Sequence, residues 1–390
     1  MKVFDVAVIG GGIIGSSIAF ELAAEKLDVV LLDREEPGRG ASWAAAGMLS
    51  PAPDSPEALP IVPLAKESLR LYPNFIAAVQ EASGLHAHFA SEGALQIFPG
   101  SQGEAERDKM LAELRSLGIV TESVPLETAR EMENAIGPAA GAAAWLPEES
   151  TVDPRLLIAA LLAGLRRREV GIRSGCHVTS LLRQGAACTG LIAGGDEISA
   201  KAVIVAAGCH SSTLAGKNSV EDSWLSRYAP TRPVRGQMLA LTSPEVRLQR
   251  VLRTERGYLV PRLGGRIVAG STLEEVGFDK RVTAGGIRKI LNAAIELAPN
   301  LANAQIVETW AGLRPATPDN LPILGPTDIE GLFIATGHYR NGILLAPVTA
   351  KIVRDWILNK TMNAAAIFSP LRFSERTTQT NIRKHTAAIS

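Results

Sequence analysis

Three glycines at G-x-G-x-x-G spacing and a later acid are the first residues of the 390-residue chain whose types indicate a chemistry. The glycines are Gly10, Gly12 and Gly15, and Asp33 follows at about the 20-residue distance of the dinucleotide-binding pattern. Such glycines permit a tight turn, let the backbone approach a pyrophosphate and let the next helix pack closely, while the acid binds a ribose hydroxyl. The spacing therefore predicts a dinucleotide site.

Arg314 indicates a second chemistry. It lies between Leu313 and Pro315, after an apolar run. An arginine guanidinium matches a carboxylate with two parallel hydrogen bonds and stays charged at any working pH. The alternative is a surface salt bridge, which contributes at most about 1 kcal/mol. Because its neighbours are not those of a surface arginine, we predict that Arg314 binds a substrate carboxylate.

The segment from 332 to 352 indicates a third site. Residues 332–337 are apolar and end in glycine, and helical apolar spacing begins at Gly342, so Arg340 lies in a strand-to-helix turn. The start of a helix presents unpaired N–H groups and a partial positive charge. We expect this turn to stabilise negative charge on a bound group.

The elements that must position these residues follow from apolar patterning. Residues 3–9 and 28–33 are β-prone runs, and helical spacing from Ile14 lies between them. Strand, glycine turn, helix and second strand are the context that a dinucleotide motif requires. Residues 39–49 are mainly small, which allows a large planar ring to lie against the backbone, although a tightly packed alanine-rich helix would have the same composition.

Later segments predict further elements of the same fold. Asp153 followed by Pro154 predicts the beginning of a helix, because aspartate caps helix starts and proline fits the first helical position. Residues 177–182 and 202–208 predict two more strands.

Three segments resemble the D-amino-acid oxidase superfamily, and within it the glycine oxidases of thiamin biosynthesis. These segments are 44–49, 310–319 and 337–347, and the resemblance extends from about residue 3 to about residue 372. It implies tightly bound, non-covalent FAD and oxidation of a small amino acid by hydride transfer, with no protein acid or base in that step. The implied products are an oxo acid, ammonia and hydrogen peroxide.

The motif and the resemblance together predict the site residues. The predicted FAD contacts are Gly10, Gly12, Ile13, Ile14, Gly15, Asp33, Arg34, Ala41, Ser42, Ala46, Gly47, Met48, Val178, Gly208, His338, Tyr339, Arg340, Asn341, Gly342, Ile343 and Leu344. The predicted substrate contacts are Arg314, Arg340, Tyr258, Met48 and Leu273. Leu273 stands where the resemblance expects a pocket-narrowing methionine, and Arg256 stands where it expects a histidine. No metal site is predicted.

The predicted fold class is α/β, a Rossmann-type FAD-binding domain interleaved with a substrate domain that has a mixed or antiparallel sheet. The expected FAD-binding domain comprises residues 1–85, 147–218 and 308–372, the substrate domain comprises 86–146 and 219–307, and a polar tail comprises 373–390. The resemblance also suggests a homo-tetramer.

Composition excludes several classes of protein. Lysine plus arginine equals aspartate plus glutamate at 40 each, so neither nucleic acid nor an anionic membrane is an expected partner. The three cysteines show no metal or disulfide spacing, which favours the cytoplasm. We find no apolar run long enough for a membrane span. The resemblance implies that covalent flavin attachment would need a cysteine near Gly312, and none follows Cys209.

The substrate and the electron acceptor stay open at this point. Glycine, sarcosine and small D-amino acids are all candidates, with oxygen as the expected second partner. A flavin dehydrogenase of the same fold, which passes electrons to a quinone or carrier, is the main alternative. An NAD-dependent dehydrogenase and a non-catalytic nucleotide-binding protein are others.

Overall fold

The computed structural model describes residues 2–214, 223–359 and 366–373. Its helices are α1 (Ile13–Ala24), α2 (Ala41–Ala44), α3 (Val62–Ser83), α4 (Gly103–Ser116), α5 (Leu126–Met132), α6 (Pro154–Arg167), α7 (Ala284–Leu297) and α8 (Gly342–Ile357). Its strands are β1 (Val3–Ile9), β2 (Val29–Leu32), β3 (Met48–Leu49), β4 (Phe89–Ala90), β5 (Ala94–Pro99), β6 (Glu122–Val124), β7 (Ala140–Leu146), β8 (Ser150–Val152), β9 (Gly171–Arg173), β10 (Val178–Gln184), β11 (Ala187–Ala193), β12 (Asp196–Val205), β13 (Arg232–Thr242), β14 (Val251–Arg253), β15 (Tyr258–Pro261), β16 (Arg266–Gly270), β17 (Gln305–Ala316), β18 (Ile323–Pro326) and β19 (Leu332–Thr336).

The first sheet has a parallel centre. Strands β9, β2, β1, β12 and β19 lie side by side in that order, and each neighbouring pair is parallel. The antiparallel strands β10 and β11 extend one edge beside the first half of β12, and β18 pairs with β19. Because all the central strands run in one direction, their carboxyl ends lie on the same edge of the sheet. Ligands of open α/β sheets bind at that edge.

Helices cover both the motif and the sheet. α1 packs against α8 and α6, and α3 packs against α6 and α8 around a core that includes Ile18, Phe20, Leu161 and Leu345, all almost fully buried. α6 begins as the sequence predicts, since the Asp153 carboxylate accepts hydrogen bonds from the amides of Arg155 and Leu156. None of the helices in the described part of the chain is both long and apolar enough to cross a membrane.

The second sheet is mainly antiparallel. Its strand order is β17-β13-β16-β15-β14-β5-β7-β6, with one parallel pair between β14 and β5. β13 and β17 pair from Arg232 opposite Ala316 to Thr242 opposite Gln305. The α/β fold class, with a Rossmann-type sheet and a second mixed sheet, is therefore confirmed. A small third sheet joins β3, β8 and β4.

The predicted domain boundaries stay a prediction. β17 crosses the boundary placed between residues 307 and 308, and it pairs with β13 along its whole length. The polar tail, apart from Phe373, lies outside the described residues.

Candidate active site

A single cleft collects most of the predicted site residues. It encloses about 1860 Å³, counting the space open to solvent, and it lies at the carboxyl ends of β1, β2, β12 and β19. From one side it is lined by the turn between β1 and α1, and from the other by residues of β13, β15 and β17. The parallel sheet and the antiparallel sheet thus contribute opposite walls.

The glycine turn places the start of α1 against the strand it follows. Gly10 has a φ of +104°, and a Cβ added at Gly15 would lie 1.9 Å from the Gly10 carbonyl oxygen. Only glycine fits either position, because a left-handed φ strains other residues and the helix–strand gap admits no side chain. This geometry is the turn and the close packing that the sequence predicts.

The amino end of α1 is open to the cleft. Gly12 caps the helix without a side-chain hydrogen bond, and the Ile13 amide donates to Ser42 Oγ at 2.9 Å. Among the described residues, the amides of Gly12 and Ile14 donate no hydrogen bond. Unpaired amides at a helix start, next to a glycine turn, form a site that attracts phosphate.

Asp33 fixes the loop that faces this turn. Its carboxylate accepts the Gly11 amide at 2.7 Å and the Glu35 amide at 2.9 Å. Burial raises the pKa of Asp33, an effect that these two amide hydrogen bonds oppose. Next to it, Arg34 Nη1 lies 3.0 Å from His210 Nδ1. Burial first, and then Arg34 and Lys280, lower the pKa of His210 to about 4.

α8 presents a second open helix start. Asn341 caps it without a side-chain hydrogen bond, and in the described part of the chain the amides of Gly342, Ile343 and Leu344 donate to no acceptor. Gly342 and Ile343 line the cleft. The positive end of the α8 dipole therefore faces the same cavity as that of α1.

His338 contributes backbone, and not its ring, to this turn. The ring is buried, and its Nε2 lies 3.0 Å from Thr349 Oγ1 inside α8. Burial lowers the pKa of His338 to about 3, so the imidazole is neutral near pH 7. The ring is thus directed at Thr349, and the cofactor contact of His338 stays a prediction.

Glycines in the antiparallel wall make room for Arg314. Arg314 pairs with Val234 across β17 and β13, so its side chain extends over Gly236, the diagonal neighbour on the same face. A Cβ at Gly236 would lie 2.2 Å from Arg314 Nη1. The guanidinium donates to Ser271 Oγ at 2.7 Å and to the Thr272 carbonyl at 3.2 Å.

Arg314 forms no ion pair with a carboxylate among the described residues. Its side chain lines the cleft. Burial, with a smaller contribution from Arg340, lowers the pKa of Arg314, whereas Tyr258, Tyr339 and Asp54 oppose the lowering. Lowered or not, an arginine pKa stays far above 7, so the group is a cation. A half-buried, unpaired guanidinium is suited to binding an anionic substrate group.

Tyr258 and Met238 form the wall beside Arg314. Both pair with Gly270, from strands on its two sides, and the Tyr258 hydroxyl donates to Met238 Sδ at 3.3 Å. A Cβ at Gly270 would lie 2.4 Å from that sulfur. The buried methionine narrows the cavity at this point.

Comparison with known proteins decides the family. The model of the family described as FAD dependent oxidoreductase (DAO) matches residues 5–356. The chain belongs to this family. It is 33% identical over 360 residues to glycine oxidase of Geobacillus kaustophilus, covering 92% of this chain and 93% of that one. The crystal structure of glycine oxidase from that organism superposes with a TM-score of 0.85, at 30% identity, over 95% of this chain and 98% of that one.

A second relative is longer. The bifunctional protein ThiO/ThiG of Trichormus variabilis is 34% identical over 393 residues, which cover 99% of this chain but 58% of the relative. The chain thus spans little more than half of this curated relative, whereas it spans nearly the whole of the glycine oxidase.

The cleft fits the cofactor of the FAD-dependent oxidoreductase family. Two helix starts with unpaired amides among the described residues face it, and small residues line the space between them, including Gly40, Ala41, Ala45, Ala46 and Gly47. Gly312 packs against α2 so closely that a Cβ there would lie 2.5 Å from Ala44 Cβ. A cysteine at position 312 would not fit, in accord with a non-covalent cofactor.

The cleft brings together most of the predicted site residues. Those that line it are Gly10, Gly12, Ile13, Ile14, Asp33, Arg34, Ala41, Ser42, Ala46, Gly47, Met48, Val178, Gly208, Tyr258, Arg314, His338, Tyr339, Arg340, Gly342 and Ile343. The predicted residues that do not line it are Gly15, Leu273, Asn341 and Leu344.

Two positions differ from expectation. Leu273 does not line the cleft, and the residue is 58% exposed, because β16 ends at Gly270 and the buried Thr272 turns Leu273 outward. The pocket-narrowing prediction for Leu273 is corrected: Met238 of β13 lies in the cleft wall. Arg256 also does not line the cleft, and its largely exposed guanidinium pairs with Glu296 at 2.9 Å.

Four residues of this region were not predicted from the sequence: Gly236, Met238, Ser271 and Asp54. Gly236 and Met238 are two residues apart and lie on the same face of β13, but the two-residue period of a strand does not show which face lines a ligand site. Asp54 pairs with Arg340 across a loop contact that no local motif encodes.

Proposed function

We propose that this FAD-dependent oxidoreductase oxidises a small amino acid, most simply glycine, to the oxo acid glyoxylate, ammonia and hydrogen peroxide. The observation that carries the proposal is Arg314, a cation without a carboxylate partner among the described residues, held by Ser271 in the cleft wall. It is supported by similarity to glycine oxidase over nearly the full length of both chains.

In this scheme, residues of the chain bind the substrate and orient it. Arg314 holds the substrate carboxylate with two parallel hydrogen bonds, and Tyr258 donates a third once its hydroxyl turns from the weak sulfur acceptor of Met238. FAD, held by the amides at the starts of α1 and α8, supplies the hydride acceptor when bound.

No side-chain acid or base is needed for the proposed transfer from the substrate Cα. The neutral His338 faces Thr349, and Asp33 is held by backbone amides, so neither group is directed at the substrate end of the cleft. Positioning of the substrate is then the main contribution of the protein, and well-oriented reactants account for about 7–11 kcal/mol of a barrier.

The small cavity beside Arg314 favours a compact substrate. Met238 and Tyr258 close its wall where Gly270 leaves no room for another side chain. Glycine and sarcosine are compact enough for this cavity, and we expect small D-amino acids to be oxidised less efficiently. We also propose that oxygen accepts the electrons and that the protein acts as a tetramer in the cytoplasm. By the resemblance to glycine oxidases, we propose that the imine product is used to form the thiazole ring of thiamin.

The test is hydrogen peroxide release from the purified FAD-loaded protein with glycine, sarcosine, D-alanine and D-proline. Peroxide and glyoxylate in equal amounts from glycine would support the proposal. Bleaching of the flavin in air without peroxide would support the dehydrogenase alternative. If none of the four amines reduces the flavin, even without oxygen, the proposed function is wrong.

A further inference from the structure

The two arginines at the substrate end of the cleft are in different electrostatic states. Arg314 donates only to neutral oxygens, whereas Arg340 Nη1 lies 2.8 Å from Asp54 Oδ2. Arg340 belongs to the turn before α8, and Asp54 to the loop between β3 and α3, so the ion pair joins two segments that are distant in sequence. Of these two arginines, Arg314 alone lacks a carboxylate partner among the residues that the structure describes.

The ion pair lies near Arg314 at the edge of the cleft lining. Arg340 lines the cleft with Arg314, and 42% of the Arg340 side chain and 28% of the Asp54 side chain are exposed. Both charges are close enough to Arg314 to affect its pKa, Arg340 by lowering it and Asp54 by raising it. Tyr258 and Tyr339 are the other titratable groups that act on Arg314.

We propose that Asp54 is a specificity-determining residue, which restricts the substrate to amines with a single carboxylate by neutralising Arg340 at the mouth of the cleft. The inference rests on the proposed oxidation of a small amino acid. A second carboxylate on the substrate would have to displace Asp54 from Arg340 and would lie beside a like charge. Discrimination of this kind depends on a repulsive element as well as an attractive one.

Sarcosine and iminodiacetate form a matched pair for the test, because both are N-substituted glycines and only iminodiacetate has a second carboxylate. Asp54→Asn keeps the shape and removes the charge. We expect it to raise the ratio of kcat/KM for iminodiacetate to that for sarcosine by about five- to tenfold, as suits a partly exposed pair. Asp54→Glu, which keeps the charge, should leave the ratio within about twofold of the parent's, as expected if charge and not packing matters.

Two controls assign the effect to the ion pair. Glu57→Gln removes a nearby exposed carboxylate that does not line the cleft, and it should not change the ratio. In the double variant Asp54→Asn with Arg340→Met, the gain for iminodiacetate should disappear, because the freed cation is gone. A gain that persists without Arg340, or that Glu57→Gln reproduces, would overturn the proposal.

A binding measurement separates this inference from the proposed function. Calorimetry on the FAD-loaded protein would compare malonate with acetate, which need no oxidation. Asp54→Asn should tighten malonate binding relative to acetate binding by about five- to tenfold, because the pair is partly buried and the second carboxylate no longer meets a like charge. An unchanged malonate-to-acetate ratio overturns the role of Asp54, whether or not glycine is oxidised. Failure of every amine substrate with a shifted malonate ratio would instead reject only the proposed reaction.

Discussion

The two ends of the cleft are built from different parts of the polypeptide. At the glycine end, formed by Gly10, Gly12, Asp33 and Ser42, the groups that face the cavity are mainly backbone amides and small residues. At the arginine end, formed by Gly236, Met238, Tyr258 and Arg314, they are side chains from three strands of the second sheet. The glycine end depends on the local conformation of the chain, whereas the arginine end depends on the register of strand pairing in the second sheet.

The difference has a physical origin. A phosphate is recognised by N–H groups that every residue carries, so the requirement on sequence is the absence of side chains. A carboxylate in a small pocket needs one particular side chain with room around it, and the room comes from glycines on neighbouring strands, as at Gly236 and Gly270. We therefore expect that an added side chain at the glycine end abolishes most FAD binding. At the arginine end, we expect that removal of a side chain weakens substrate binding.

The largest expected effect is at the glycine end. Gly15→Ala places a Cβ 1.9 Å from the Gly10 carbonyl oxygen, so α1 must move away from β1. We expect loss of most bound FAD and a fall of about 3 kcal/mol or more in the free energy of unfolding. The ratio of flavin to protein absorbance and urea unfolding measure these changes.

Gly285→Ala is the matched control. Gly285 lies in the first turn of α7, it does not line the cleft, and nothing lies within 4 Å of an added Cβ. Its flavin content should equal that of the parent. Full FAD occupancy in Gly15→Ala would contradict the assignment of that end to backbone packing.

The next effect is at the arginine end. Arg314→Leu removes the proposed carboxylate contact, and two charge-assisted hydrogen bonds correspond to about a hundred- to thousandfold in KM for glycine. FAD content should not change, which distinguishes the two ends. Steady-state peroxide release measures KM, and an unchanged KM would remove Arg314 from the substrate site.

Arg256→Gln serves as the control for charge alone. Arg256 is close to Tyr258 in sequence, but it is exposed and paired with Glu296. Its KM for glycine should stay within about twofold of the parent's, the scale of an exposed ion pair.

The smallest functional effect is expected at His338, which lies between the two ends. Its folded-state pKa of about 3 is below the unfolded value of about 6.5, so the unfolded chain binds more protons in that window. The contribution to stability is present above about pH 6.5 and is lost as the pH falls, by about 2 kcal/mol between pH 7 and pH 5.

His338→Gln can keep the hydrogen bond to Thr349 and removes the titrating group. The fall in unfolding free energy between pH 7 and pH 5 should shrink by that amount, with little change in peroxide release. Urea unfolding at each pH measures it, and exposed His86→Gln is the control. A large loss of turnover would mean that the ring acts on the cofactor or substrate.

Much of the glycine end and of the first sheet could be predicted from sequence because their signals are local. β1, the glycine turn, α1 and β2 follow one another within 32 residues of the start, and each depends on its own neighbours. The same holds for the Asp153 cap of α6 and for the turn between β19 and α8. Glycine spacing, alternation of apolar residues and capping chemistry were enough.

The arginine end was settled by the tertiary structure. Sequence alone identified Arg314 and Tyr258 as residue types, but it placed Leu273 in the pocket and left Met238 unnoticed. Strand pairing decides which of the two residues lines the cleft. Because β16 ends at Gly270, Leu273 is turned to solvent, and the register of β13 places Met238 opposite Gly270. The Asp54–Arg340 pair is likewise a contact between distant segments. Local sequence determined which residue types the chain offers, and long-range packing decided which side chains line the cleft, because strand register is set by contacts across the whole sheet.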